Sequence, residues 1–140
     1  MRTRSLGKLS VIAGSLLTSG CLYKADVSVT GSPVNLTIDL KEGSIPTGAK
    51  GINYVTVSRY IGRNEQVIWQ IGAKNACAKE LSHFKYAQTP SGFVSHTPPK
   101  ALAEGVDYVV NVGGCGYLAK EFFRIARGQA IAVDRPSYGG

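Results

Sequence analysis

The sequence is poor in the residues on which most enzymes and metal sites depend. It has two histidines and three cysteines in 140 residues. It contains no HExxH, no GxSxG and no closely spaced set of cysteines and histidines. Ser82 directly precedes His83, but neighbours on a strand point to opposite faces and cannot form a catalytic pair. The sequence therefore predicts a protein that is not an enzyme and that holds neither a metal ion nor a cofactor.

Long apolar runs are also absent, and the one apolar stretch that stands out lies near the N-terminus. Leu9–Leu17 is shorter than the roughly 20 residues needed to cross a bilayer. It follows a cationic head formed by Arg2, Arg4 and Lys8, and small residues come after it. This arrangement is typical of a secretory signal peptide, which we predict over residues 1–20.

The letters LTSGC at 17–21 resemble a bacterial lipobox, in which a small residue precedes a cysteine that is acylated and becomes the first residue of the mature chain. The resemblance implies lipid attachment at Cys21 and a short tether over 21–24. Because Leu22 follows the cysteine, it also implies passage to the inner leaflet of the outer membrane, facing the periplasm. The alternative is an ordinary signal peptide that is cut nearby and leaves Cys21 free.

Acidic residues are fewer than basic ones, but the excess is modest once the signal peptide is removed. Residues 1–20 hold three of the 16 Lys and Arg residues and none of the nine Asp and Glu residues, which leaves a mature domain near +4. The remaining basic residues are scattered along the chain. Nucleic-acid surfaces usually show a basic patch mixed with aromatic residues, so we expect no nucleic-acid partner.

Short stretches in which apolar and polar residues alternate dominate the mature chain. Four segments are clear (34–40, 66–71, 81–87 and 106–112) and three are weaker (25–30, 52–60 and 129–133). The residues predicted to face the core are Val34, Leu36, Ile38, Leu40, Val67, Trp69, Ile71, Phe84, Tyr86, Val106, Tyr108, Val110 and Val112. A period of two marks half-buried strands. The pattern predicts an all-β, immunoglobulin-like antiparallel β-sandwich over 25–134, with a flexible tail at 135–140.

The segment 116–128 is compatible with two structures. Its apolar residues include a set at helical spacing, and Gly128 could end a helix. A strand over 121–126, with Phe123 and Ile125 facing inward, also fits. We favour the strand, because a lone helix would need a sheet face to cover.

Four segments of the chain occur in an order that resembles the one found in a loosely defined group of small bacterial envelope lipoproteins. The segments are VIWQI (67–71), FKYAQTPSGF (84–93), PPKALAEGVDYVVNV (98–112) and GYLAKEFFRI (116–125). They match a tryptophan strand, an aromatic–Pro–Gly–Phe turn, a Leu-x-x-Gly-x-x-Tyr strand start and a closing strand with phenylalanine. The resemblance implies an immunoglobulin-like sandwich. Some members are described as periplasmic immunity lipoproteins of type VI secretion, which implies neutralisation of a secreted toxin.

The residues that carry this resemblance have structural roles of their own. Trp69 is predicted to fill the core between the sheets. Pro90, Gly92 and Phe93 are predicted to shape a turn.

Cys77 and Cys115 are the cysteines left in the mature domain. An even pair in an oxidising compartment favours a disulfide. If the strands at 66–71 and 81–87 run antiparallel, the Cys77 loop and the end of strand 106–112 meet at one end of the sandwich. We predict a bond between these cysteines. The alternatives are two free buried thiols or a reactive Cys115 in its glycine-rich turn.

Together these features predict a membrane-anchored, non-catalytic binding module. An immunity protein against a toxin delivered to the periplasm is its sharpest version. The alternative is a structural or accessory envelope protein that binds another envelope component or cell-wall polymer. Loops 60–65 and 94–100 are predicted to lie together opposite the cysteines, with Tyr60, Arg63 and His96 contacting a protein partner. Alternatively, all three are solvated loop residues.

Overall fold

The alternating sequence segments form ten strands in the computed structural model, which describes residues 23–45 and 51–136. The strands are β1 (Tyr23–Ala25), β2 (Val27–Ser32), β3 (Asn35–Leu40), β4 (Ile52–Ile61), β5 (Asn64–Ala73), β6 (His83–Lys85), β7 (Phe93–Thr97), β8 (Asp107–Gly114), β9 (Tyr117–Ala126) and β10 (Gln129–Val133). A short 3-10 turn, Glu42–Ser44, follows β3. Among the described residues the regular structure is thus almost entirely β.

The strands make two sheets that pack face to face. The large sheet has the order β1-β9-β8-β4-β5-β7, and β10 pairs with β9 beyond the end of β1. The small sheet has the order β2-β3-β6. Of the strand pairs in the described residues, β1–β9 is parallel and the others are antiparallel. The predicted all-β sandwich is confirmed, and β2-β3-β6 facing β9-β8-β4-β5 is an immunoglobulin-like arrangement.

The core lies between the sheets and contains most of the residues predicted to face it. The confirmed set, each 5% exposed or less, is Leu36, Ile38, Leu40, Trp69, Ile71, Phe84, Tyr108, Val110 and Val112. Trp69 is fully buried, and its ring centroid lies 5.1 Å from that of Tyr86. Phe123 and Ile125 are also fully buried on β9, so the strand predicted over 121–126 is confirmed and begins earlier, at Tyr117.

Two predicted core residues instead lie at the surface. Val34 is 96% exposed, because β3 begins one residue later and Val34 belongs to the turn after β2. Val67 is 41% exposed, because a bulge shifts the pairing of β4 with β5 between Val57 and Ser58. A bulge inserts one residue and reverses the alternation beyond it. Ile68 therefore becomes buried in its place, at 1% exposure.

The domain boundaries differ from the prediction at both ends. The chain joins the large sheet at Tyr23, because Tyr23–Ala25 pair with β9, so two residues predicted as tether belong to a strand. Pro136, predicted as part of the flexible tail, is buried. The signal peptide predicted over 1–20, Cys21 and residues 137–140 lie outside the described residues.

Candidate partner-binding surface

A disulfide ties together several strand ends at one end of the sandwich. Cys77 and Cys115 are bonded, with their Cα atoms 5.9 Å apart and a sequence separation of 38. The N–H of Cys115 donates a hydrogen bond to the carbonyl of Gly51 at 3.0 Å. Gly51 packs so closely on the backbone of Cys77 that a Cβ would collide there. The predicted disulfide is confirmed, and the two free-thiol alternatives are wrong. We call this region, with loop 74–82, the disulfide end.

The opposite end, which we call the hairpin end, contains the turn between β4 and β5. Gly62 has a φ of +63°, at the first central position where type II′ hairpins place glycine. Arg63 follows it and is exposed. The β2–β3 turn lies at the same end, because the last residue of β3, Leu40, hydrogen-bonds to Ser82 at the disulfide end.

Tyr60 lies on the outer face of the large sheet, just before this hairpin. Its ring centroid is 6.1 Å from that of Phe122, at an interplanar angle of 45°. The Nζ of Lys120 lies 5.5 Å from the Phe122 ring centroid, within the range of a cation–π contact. Val109, the cross-strand neighbour of Phe122, is fully buried although it is on this outer face.

Further apolar side chains extend this face. Ile131 pairs with Arg124, and Val67 pairs with Ser58, both on the outer face; they are 43% and 41% exposed. We define the outer patch as Tyr60, Phe122, Val67 and Ile131. Sequence reasoning missed Phe122, Val67 and Ile131 as surface residues. The alternation around the buried Phe123 was the available indication that Phe122 points outward.

His96 does not join Tyr60 and Arg63, so the predicted three-residue patch is wrong as a single surface. Residues 94–97 of the segment predicted as a loop belong to strand β7. This strand pairs with the last part of β5, next to the disulfide end. His96 lies against Gly72, where a Cβ would approach its Nε2 to 2.6 Å. Tyr60 pairs with Glu65, seven residues earlier on β5. At about 3.3 Å per residue the two positions are roughly 23 Å apart.

The closest approach to a catalytic pair is on the small sheet. The Nδ1 of His83 lies 2.5 Å from an Oδ1 of Asp39, and the two side chains are 58% and 43% exposed. Ser28 pairs with Asp39 on its other side. The order across the sheet is serine, aspartate, histidine, whereas a catalytic triad needs histidine between the other two to remove the serine proton. This arrangement does not support nucleophilic catalysis.

Two open clefts, of about 520 and 560 Å³, lie beside β9 where β1 and β10 leave its edge. Both are lined by Asp26, Lys120 and Glu121. Burial, together with the nearby Asp26, raises the pKa of Glu121. The lining has charges of both signs. Within 23–45 and 51–136, no three His, Cys, Asp or Glu side chains are grouped so that they could hold a metal ion.

Comparisons with known proteins give no indication of the function. No protein-family model matches the sequence, and no curated protein or solved structure matches it either. In the described part of the chain, no helix is both long and apolar enough to cross a membrane.

Proposed function

We propose that this chain is a lipid-anchored envelope protein whose sandwich domain binds another protein without catalysing a reaction. Cys21 is the lipid-bearing residue. The domain faces the periplasm from the inner leaflet of the outer membrane. The observation that carries the binding role is the outer patch, in which Tyr60 and Phe122 are in ring contact on a sheet face beside the exposed Arg63.

The lipid anchor is supported by the cationic head, the short apolar run and the letters TSGC at 18–21. The Cys77–Cys115 disulfide is consistent with export, because such bonds persist in oxidising compartments and are rare in the cytosol.

The outer patch supports a protein partner for two reasons. Tyr and Arg are enriched among the residues that dominate binding energy at interfaces. The patch also lies on a rigid sheet, so that little conformational entropy is lost when a partner covers it. His96 is left out of this surface because β7 places it near the other end of β5.

The sharpest form of the proposal is an immunity protein that neutralises a toxin delivered to the periplasm by type VI secretion. It is supported by the resemblance of the central segments to envelope lipoproteins, some of which are described in this way. The second candidate is a structural or accessory envelope protein that binds another envelope component or cell-wall polymer. An adjacent gene for a secreted toxin favours the first candidate, and an envelope-biogenesis operon favours the second.

The test is quantitative co-purification from the native envelope with the full-length, lipidated chain. Alanine at both Tyr60 and Phe122 is expected to reduce capture of the specific partner by at least about tenfold, the effect of losing roughly 1.4 kcal/mol. His96→Ala, on the same sheet but far from the patch, is the matched control and retains full capture. Unchanged capture by the double variant contradicts the binding surface, and turnover of a substrate by the purified domain contradicts the non-catalytic role.

A further inference from the structure

The domain is fixed to its sheet almost immediately after the proposed anchor. The N–H of Tyr23 donates a hydrogen bond to the carbonyl of Gly116 at 3.0 Å, and Tyr23 pairs with Tyr117 in parallel register. Cys21 precedes Tyr23 by two residues, which span at most about 7 Å when fully extended. A lipid on Cys21 is therefore attached within about 7 Å of the point where the folded domain begins.

That point belongs to the disulfide end. Gly116 is the residue after Cys115, whose disulfide leads to Cys77 in loop 74–82. The acyl chains and the exposed loop consequently start from the same end of the sandwich. A bilayer that holds the acyl chains must then pass close to this loop.

The exposed side chains at this end suit a phospholipid surface. Tyr23 is 61% exposed, and tyrosine is favoured at membrane–water interfaces because its ring is apolar and its hydroxyl is polar. Ala76 and Ala78 are exposed and small, so they present little that must be desolvated. Lys74 and Lys79 flank them and can approach lipid phosphates.

We propose that the disulfide end of the sandwich rests on the phospholipid surface and that the hairpin end projects away from it. The inference rests on the proposed lipid anchor at Cys21. β4 runs between the two ends, and its ten residues span about 30 Å. Arg63 and the Tyr60 of the outer patch are therefore held about 30 Å from the membrane surface, where a partner can reach them. The pairing of Tyr23–Ala25 with β9 removes the freedom of movement that a long tether would allow.

Photo-cross-linking tests this orientation. The photoreactive residue p-benzoylphenylalanine is introduced at Ala76, at the disulfide end, or at Val34, which is 96% exposed at the hairpin end. Each full-length chain is produced with its own signal segment and irradiated in the bacterial envelope. The mass of the N-terminus is measured on the same samples. We expect phospholipid adducts from position 76 and a loss of adducts to background at position 34.

A linker variant provides the matched control, because it keeps the anchor and the domain unchanged. About ten glycine and serine residues inserted between Leu22 and Tyr23 give a flexible tether. We expect the preference for position 76 over position 34 to be lost in this variant.

The outcomes separate the orientation from the anchor. Equal adducts from positions 76 and 34, or more from 34, in a chain acylated at Cys21 overturn the orientation and leave the anchor intact. An unacylated N-terminus overturns the anchor, and the orientation with it.

Discussion

The hydroxyl of Tyr108 accepts a hydrogen bond from the backbone N–H of Ala103, five residues earlier, at 2.7 Å. Tyr108 is 1% exposed at the start of β8, and this bond fixes the chain that leads into the strand. It is the tyrosine corner found in immunoglobulin-like sandwiches. Tyr117, equally buried on β9, has a hydroxyl without a hydrogen-bond partner. The two residues therefore allow a matched comparison.

Phenylalanine at these two positions is expected to have opposite effects. Tyr108→Phe removes the hydrogen bond to the N–H of Ala103 and should lower the free energy of unfolding by about 0.5–1.5 kcal/mol, the net contribution of a typical hydrogen bond. Tyr117→Phe removes a buried hydroxyl that makes no bond, so stability should be unchanged or higher. Urea unfolding of the two variants checks this. Equal losses from both substitutions would show that the Tyr108 hydrogen bond has no special role.

The domain is expected to lose stability at high pH. Burial raises the pKa of Tyr86 and of Tyr117 to about 12. In the unfolded chain tyrosines titrate near 10, so between about pH 10 and 12 the unfolded state releases protons that the folded state keeps. The contribution of these two tyrosines to the free energy of unfolding is then constant below pH 10 and falls as the pH rises towards 12. Unfolding curves at pH 9 and pH 11.5 test the sign, and Tyr117→Phe should reduce the loss.

The pair formed by Asp107 and Arg124 is expected to stabilise the start of β8. Asp107 is 6% exposed, and its oxygens accept hydrogen bonds from Nε and Nη2 of Arg124 at 2.6 and 3.2 Å. Arg124→Met removes the cation and should destabilise the fold, because the buried carboxylate of Asp107 loses its charged hydrogen-bond partner. Adding Asp107→Asn should recover part of that loss. A double variant that is no more stable than the sum of the single changes predicts would contradict the pairing.

Removing the disulfide should have a large effect on stability. A closed loop of 38 residues corresponds to about 4 kcal/mol by chain-entropy arithmetic. Replacing both Cys77 and Cys115 by serine should lower the free energy of unfolding by a similar amount, while Cys21→Ser in the same assay should leave it unchanged. Denatured, unreduced protein with Cys21 blocked should show no reactive thiol. Two labelled thiols would contradict the bond.

Alternation of apolar and polar residues was sufficient to predict the sandwich, because it sets which strand face is buried. Leu36 and Ile38 on β3, and Val110 and Val112 on β8, follow the rule. Val67 does not, because the bulge between Val57 and Ser58 is a property of how two strands pair. The alternation within one strand does not show whether a bulge will add an unpaired residue when that strand pairs with its neighbour.

The prediction that His96 lies on one surface with Tyr60 and Arg63 is wrong for a similar reason, because it too depends on strand pairing. The sequence predicts a loop around His96, yet Phe93–Thr97 forms a strand that pairs with β5. The residues of β5 that pair with this strand lie 20 to 27 positions earlier in the sequence, from Ala73↔Phe93 to Gln70↔Thr97, so a local pattern does not reveal the pairing. The predicted strand with Phe123 facing inward places Phe122 on the outer face, but its contact with Tyr60 depends on how β4, β8 and β9 pair, which the sequence does not show.

The mass of the N-terminal fragment of the native protein, isolated from the envelope, tests the central claim most directly. The account predicts a chain that begins at Cys21 and has acyl groups attached to it, recovered with outer-membrane lipids. A chain that begins elsewhere, or an unmodified Cys21, would contradict the lipid anchor and the function proposed around it.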